Sequence, residues 1–151
     1  NPRIEEYVKA AHDVGALAVY DQANVNGLMG ITRAKEAGFD LIHYNLHKTF
    51  SAPHGGMGPG VGALGATKKL EDYLPVPQVK FDGNKYYLDE EIKNSVGKVR
   101  AFIGNAAIIV RVYMWIRSLG PEGIREAAMC AVLNNQYTMK KVSQIPGVTM
   151  Y

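Results

Sequence analysis

The chain has 151 residues, 47% hydrophobic and 21% charged, with a formal net charge of +3. That length and apolar content suffice for one packed core and exclude global disorder. Acids and bases are interleaved with no basic stripe, which argues against nucleic acid as a partner, and no apolar run is long enough to cross a bilayer.

The chain opens at Asn1-Pro2 without a methionine and without a signal peptide, and it stops at Met150-Tyr151. It reads as a piece of a longer protein. Pro2 to Val14 reads as a helix, with Asn1 as N-cap, Pro2 in the first turn and Gly15 as the stop. Ala16 to Tyr20 is a short continuous apolar run, the pattern of a strand buried on both faces. Thr32 to Ala37 reads as a short helix closed by Gly38, and Asp40 to Tyr44 as a second strand. Strand, helix and strand joined by short connections give a parallel α/β arrangement.

A glycine-rich loop is expected from Gly55 to Gly65, then a short helix from Lys68 to Tyr73, ended by Pro75 and Pro77. Val79 to Leu88 reads as a hairpin around Asp82-Gly83-Asn84. Asn105 to Leu119 is a helix with Ile108, Val112, Trp115 and Ile116 on one side. Gly120-Pro121 separates it from a second helix, Glu122 to about Val142. There Ile124, Ala128, Ala131, Val132, Asn135 and Met139 form the apolar stripe. Cys130, the single cysteine, falls in that apolar pattern and reads as a small core residue; one cysteine permits no internal disulfide and fits a reducing, cytoplasmic setting. Val148 to Met150 reads as the start of a further strand.

In an open parallel sheet, ligands bind beyond the carboxyl ends of the strands. The first strand is followed by Asp21-Gln22-Ala23-Asn24 and the second by Asn45-Leu46-His47-Lys48-Thr49-Phe50. Taken singly, Asp21 reads as a turn cap, Lys48 as a solvated loop lysine and His47 as a hydrogen-bonded loop histidine. Taken together, an acid and a lysine leave neighbouring strands at one edge. A pyridoxal-phosphate (PLP) enzyme needs a lysine to form a Schiff base with the cofactor aldehyde. It also needs an acid to keep the pyridine nitrogen protonated, so that the ring can accept carbanion charge. The lysine must shed its proton to act as a nucleophile, so a partly buried site is expected.

The run from Asn45 through Lys48 to Gly60 resembles the cofactor-lysine segment of glycine dehydrogenase (decarboxylating), the P protein of the glycine cleavage system. Tyr20 to Asn26 is similar to that family's aspartate segment, and Gly120-Pro121-Glu122-Gly123 and Ala131 to Asn135 to its later helices. The resemblance covers essentially the whole chain and is strongest to the second, C-terminal subunit of the two-chain bacterial form. Met57 stands where another glycine is expected.

The resemblance implies a fold-type-I PLP-dependent transferase, with residues 1–74 as the end of the large domain. Residues 75–119 would form a linking hairpin and helix, and 120–151 would enter the small domain. It implies Lys48 as the Schiff-base lysine, Asp21 on the pyridine nitrogen and Ala23 close to the ring. His47 and Thr49 would line the cofactor pocket, His54, Gly55 and Gly56 would shape its mouth, and Asn24 and Asn26 would support it. The implied reaction is decarboxylation of glycine with transfer of the aminomethyl group to the lipoyl arm of the H protein. A partner subunit 1 would complete a heterotetramer or a dimer of heterodimers.

Other readings remain open. Another fold-type-I PLP enzyme, an aminotransferase or an amino-acid decarboxylase, would use the same acid and lysine, and a non-catalytic subunit or fragment would use neither. Gly60-x-Gly62-x-x-Gly65 matches a dinucleotide fingerprint, but no strand is expected before it and no acid follows at the required distance. His43, His47 and His54 are loosely spaced, with no Cys or Glu at a zinc-ligand interval, so no metal is expected.

Overall fold

The computed structural model describes all residues except Pro53, Gly55 and Tyr151. Helix α1 (Ile4–Asp13) starts two residues later than the sequence suggests. Asn1 does not cap it; its Oδ1 accepts from the Arg3 N–H at 2.9 Å, and Arg3 takes the N-cap position. The stop is as expected. Gly15 is left-handed (φ 77°), its N–H reaches the His12 carbonyl, and the Ala16 N–H reaches that of Ala11. Those two bonds form a Schellman motif.

The motif uses Ala16, so strand β1 (Val19–Gln22) begins later than the apolar run and includes Asp21. β1 pairs in parallel with β2 (Leu41–Asn45), and β2 pairs antiparallel with β3 (Gly62–Ala66), giving the order β1-β2-β3. The sheet is therefore mixed rather than wholly parallel. β3 replaces the second half of the expected glycine loop. Gly65 allows this pairing: a Cβ there would stand 2.7 Å from Cγ1 of Ile42 on the neighbouring strand. Gly62 and Gly65 of the apparent dinucleotide fingerprint thus lie in an edge strand and not in a turn into a helix.

The helix expected at Thr32 to Ala37 is a set of turns. One i to i−4 bond forms there, from the Ala37 N–H to the Arg33 carbonyl, before Gly38 turns left-handed (φ 90°). So short a segment does not offset the cost of helix nucleation. A 3-10 helix spans Lys68–Tyr73. The hairpin is present as β4 (Gln78–Phe81) and β5 (Tyr86–Asp89). Its turn is held by Asp82 Oδ1, which accepts from the N–H groups of Asn84 and Lys85; these bonds hold the Asp82 carboxyl below its ordinary range.

Helix α2 (Ala106–Val142) contains both expected helices, divided by a kink at Gly120, which leaves helical geometry at φ 65° and ψ −178°. Pro121 then restarts the helix where its missing N–H costs nothing. Ile108 and Val112 are buried as expected, in a core with Ala52 and with Leu46, Phe50 and Val61 packed against it. Beyond the kink the stripe is only partly covered. Ala128 is buried, whereas Val132 and Met139 are exposed. Cys130 is exposed and not a core residue. Val148 to Met150 pairs with no strand. Among the described residues no helix is long and apolar enough to cross a membrane.

Candidate functional site

The parallel β1–β2 pair delivers Asp21 and the Lys48 turn to the same edge of the sheet. Asp21 lies in β1 opposite His43 of β2, and the lysine turn, 46–50, begins directly after Asn45. Residues in register share a face, so Asp21, His43 and Leu64 line one side of the sheet while Gln22, Tyr44 and Ala63 line the other. The first side is open: Asp21 is exposed and His43 half-buried.

Asp21 Oδ1 accepts from the Ala23 N–H at 2.9 Å. This Asx turn closes the end of the strand and leaves the carboxylate exposed. Neither Asp21 nor Lys48 enters an ion pair among the described residues. Lys48 is exposed, and its N–H donates to the Asn45 carbonyl at 3.2 Å, closing the turn.

Each neighbour of Lys48 is fixed. Thr49 Oγ1 accepts from the N–H of the buried Val25 at 3.0 Å, tying the lysine turn to the segment after Asp21. His47 Nδ1 accepts from the Val61 N–H at 3.0 Å, tying it to the start of β3. Leu46, Phe50 and Ala52 pack on Ile108 and Val112 of α2, and Phe50 meets Trp115 and Tyr44 edge-on. The lysine is thus the exposed member of a turn whose other side chains are held.

The expected pocket residues are not all brought to one point. Asn24 is exposed and its Oδ1 accepts from the Asn26 N–H, a local turn. His54 packs against His47 with ring centroids 4.4 Å apart. Gly56 is exposed and left-handed (φ 62°), and Gly55 lies outside the described residues. The loop needs glycine at 58, where a Cβ would stand 2.2 Å from the His54 carbonyl oxygen. Ser51 and Met57 adopt the left-handed region without being glycine (φ 57° and 76°), a strained conformation for both.

Three further residues, His43, Gln22 and Asn105, stand near this edge. His43 borders a cleft of about 640 Å³ with Gly60, Gly62, Arg100 and Phe102. Its Nε2 meets Asn45 Nδ2 at 2.9 Å. On the opposite face Gln22 is buried, with Oε1 unpartnered among the described residues, beside an apolar cleft of about 680 Å³ that includes Tyr44, Phe50 and Ile124. Burial there pushes the Tyr44 phenol up, with Tyr20 adding to the shift. Asn105 donates from Nδ2 to the Gly60 carbonyl at 2.7 Å. The alternation of faces along β1 and β2 points to His43 and Gln22 once the strands are known. Among the described residues no group of three or more His, Cys, Asp or Glu side chains is arranged to hold a metal ion.

No family model matches the chain. Curated relatives do. The chain is 47% identical over 146 residues to a protein of Pyrococcus horikoshii named probable glycine dehydrogenase (decarboxylating) subunit 2, covering 95% of this chain and 29% of that protein. Proteins of the same name from Thermoplasma volcanium and Fervidobacterium nodosum are 45% and 49% identical, over 98% and 91% of this chain and 31% and 29% of their own length. Along nearly its whole length, the chain is therefore a relative of the decarboxylating glycine dehydrogenase subunit 2 proteins, and it spans about 30% of the length of the curated relatives it matches.

Proposed function

We propose that this chain carries the cofactor lysine and the ring-pairing aspartate of a PLP-dependent glycine decarboxylase, the P protein of a glycine cleavage system. The observation that carries the reading is the arrangement of one sheet edge. An aspartate leaves β1, a lysine follows the parallel β2, and β3 returns antiparallel beside it. That order, together with the relatives' names, supports the finer reading of a fold-type-I large domain over residues 1–74, a linker over 75–119 and a small domain entered at 120–151.

The residues fit the group. With Oδ1 engaged by the Ala23 N–H, Asp21 keeps Oδ2 open to accept a hydrogen bond from a protonated ring nitrogen. Lys48 stands open at the same edge with both flanking side chains tied down, as a residue that must bond an aldehyde requires. Ala23, small and directly after the Asx turn, leaves room for a flat ring. His47 and Thr49 hold the turn and border the cofactor. His54 and Gly56 shape the mouth, and Asn24 holds the turn that follows through its bond from the Asn26 N–H.

When bound, PLP supplies the electron sink that stabilises a carbanion. The chain's own part is to hold the cofactor by Lys48 and to keep the ring nitrogen protonated through Asp21. The sequence reading expects a partly buried lysine, but Lys48 is exposed in this chain, so excluding water from its amine falls to the cofactor and the rest of the assembly. The substrate in this reading is glycine, the acceptor is the lipoyl arm of an H protein, and a subunit 1 partner completes the assembly.

Borohydride reduction of the PLP-loaded full-length protein with its partner subunit, followed by peptide mass mapping, tests the reading. A pyridoxyl label on Lys48, with release of carbon dioxide dependent on glycine, is the expected result. A folded, PLP-saturated protein with no label on Lys48 overturns the cofactor assignment. A label with carbon dioxide release from a different amino acid moves the chain to another PLP decarboxylase, and one with amino-group exchange to an aminotransferase.

A further inference from the structure

Asn105 occupies the N-cap position of α2, where its side chain would ordinarily accept from the first N–H groups of its own helix. It makes no such bond. Its Nδ2 instead donates to the Gly60 carbonyl, 45 residues away in the chain, at 2.7 Å.

The other end of that peptide group is the Val61 N–H, and it donates to His47 Nδ1 at 3.0 Å. One peptide plane is therefore gripped at both ends, by Asn105 on the oxygen and by His47 on the nitrogen. A bond at one end of an amide polarises it and strengthens the bond at the other. The Val61 carbonyl also lies 3.1 Å from Nδ1 and has a second lone pair free beside its bond from the Leu46 N–H, so the carbonyl does not decide the tautomer. The Val61 N–H directed at Nδ1 does: a neutral His47 that accepts it carries its hydrogen on Nε2. Gly60 makes the approach possible, since a Cβ there would stand 3.2 Å from the His47 ring.

We propose that Asn105 is a positioning residue for Lys48. It acts through the Gly60–Val61 peptide and His47, fixing the placement and tautomer of the residue bonded to the lysine, and so links the start of α2 to the lysine turn. The same helix holds that turn by packing, with Ile108 and Val112 against Leu46, Phe50 and Ala52. The inference rests on Lys48 being the PLP lysine.

The test uses the full-length protein with its partner subunit and compares wild type with Asn105→Ala, Asn105→Asp and Gly60→Ala. Aspartate caps a helix as well as asparagine does but has no N–H to give Gly60, so it separates the latch from the cap. Three quantities are read: the PLP dissociation constant, the pH midpoint of the bound cofactor's visible absorbance, and the thermal midpoint without PLP. Loss of one hydrogen bond predicts PLP binding weakened about fivefold or more in both Asn105 variants. The absorbance midpoint should shift in both, and the thermal midpoint without PLP shows that each variant is folded. Gly60→Ala, whose Cβ would press on the His47 ring at 3.2 Å, should move the absorbance midpoint as well, and it carries the test if either Asn105 variant fails to fold.

Equal PLP binding and an unchanged absorbance midpoint in the folded variants overturn the inference and leave the cofactor reading standing. A loss in Asn105→Ala that Asn105→Asp does not share reduces Asn105 to a helix cap and also overturns it. Wild type that takes no PLP on Lys48 removes the cofactor reading, and the inference with it.

Discussion

At the amino-terminal edge of the three-stranded sheet the charged groups are paired, and at the carboxyl-terminal edge they are not. Asp40, at the first edge, is buried with a relative exposure of 3%. Its side chain accepts from the Ala18 N–H at 2.8 Å, meets His12 Nε2 at 2.9 Å and forms an ion pair with Lys69. Its backbone N–H donates to the Ala18 carbonyl, and its carbonyl accepts from the Thr67 N–H. One residue thus ties α1, the approach to β1, β2 and the 3-10 helix together. Asp21, at the second edge, is exposed and makes one local bond. The edge with its charges satisfied belongs to stability, and the edge with an acid and a lysine left open has capacity for chemistry.

The largest effect that would sharpen this contrast is expected at Asp40. Asp40→Ala leaves the Ala18 N–H without its acceptor and strands Lys69, and should cost about 3 kcal/mol in urea denaturation. Lys69 first, then the Ala18 N–H, hold the Asp40 carboxyl well below the ordinary carboxylate range, while desolvation opposes them. A depressed acid contributes stability above its unfolded value and loses it as pH falls. The wild-type chain should therefore lose stability progressively below about pH 4, and the variant should show a flatter acid limb. An acid limb of equal steepness in the two would remove Asp40 from the comparison.

Next in size is Gly65→Ala. Its Cβ would meet Ile42 Cγ1 at 2.7 Å, so overpacking of the β2–β3 pair should cost about 2 kcal/mol. Ile42→Ala in the same chain should recover part of that loss, and a double-mutant cycle with no coupling would show that the strands simply move apart.

Met57→Gly should act in the opposite sense. Met57 is left-handed and exposed, so glycine should stabilise the loop by up to about 1 kcal/mol, less what its extra freedom costs the folded state. A lowered denaturation midpoint would mean that the methionine makes contacts the strain conceals. The smallest expected change is the most telling for the contrast. Lys48→Ala at the open edge should alter stability by less than about 0.5 kcal/mol while abolishing the borohydride label. A large loss of stability there would break the division between the two edges.

Much of this fold is legible in the residues. The left-handed glycine after α1, the Asp-Gly-Asn hairpin turn and the helix break at Gly120-Pro121 each rest on a local conformational requirement. The apolar runs before Asp21 and before Asn45 mark the two strands, but not their burial: Val19 and Asp21 of β1 are exposed, because the face carrying them has nothing packed over it among the described residues. β3 was hidden. Gly-Ala-Leu-Gly-Ala has little strand propensity of its own, and it pairs because Ile42 and His43 of β2 occupy the space that its glycines leave. Thr32 to Ala37 carried a helical pattern too short to nucleate. Cys130 and the outer stripe of α2 read as core because periodicity records amphipathicity and not what lies opposite.

The sequence by itself determined the elements with local causes, the likeness to the subunit 2 relatives and the candidate pair Asp21 and Lys48, since strand ends and an unusual lysine segment are linear signals. Tertiary structure decided what holds that lysine. The grip of Asn105 on Gly60, the acceptance of the Val61 N–H by His47 and the tie from Thr49 to Val25 join residues 14 to 45 positions apart. Hydrogen bonds of that kind depend on where the strands and α2 come to lie, and no local propensity encodes them.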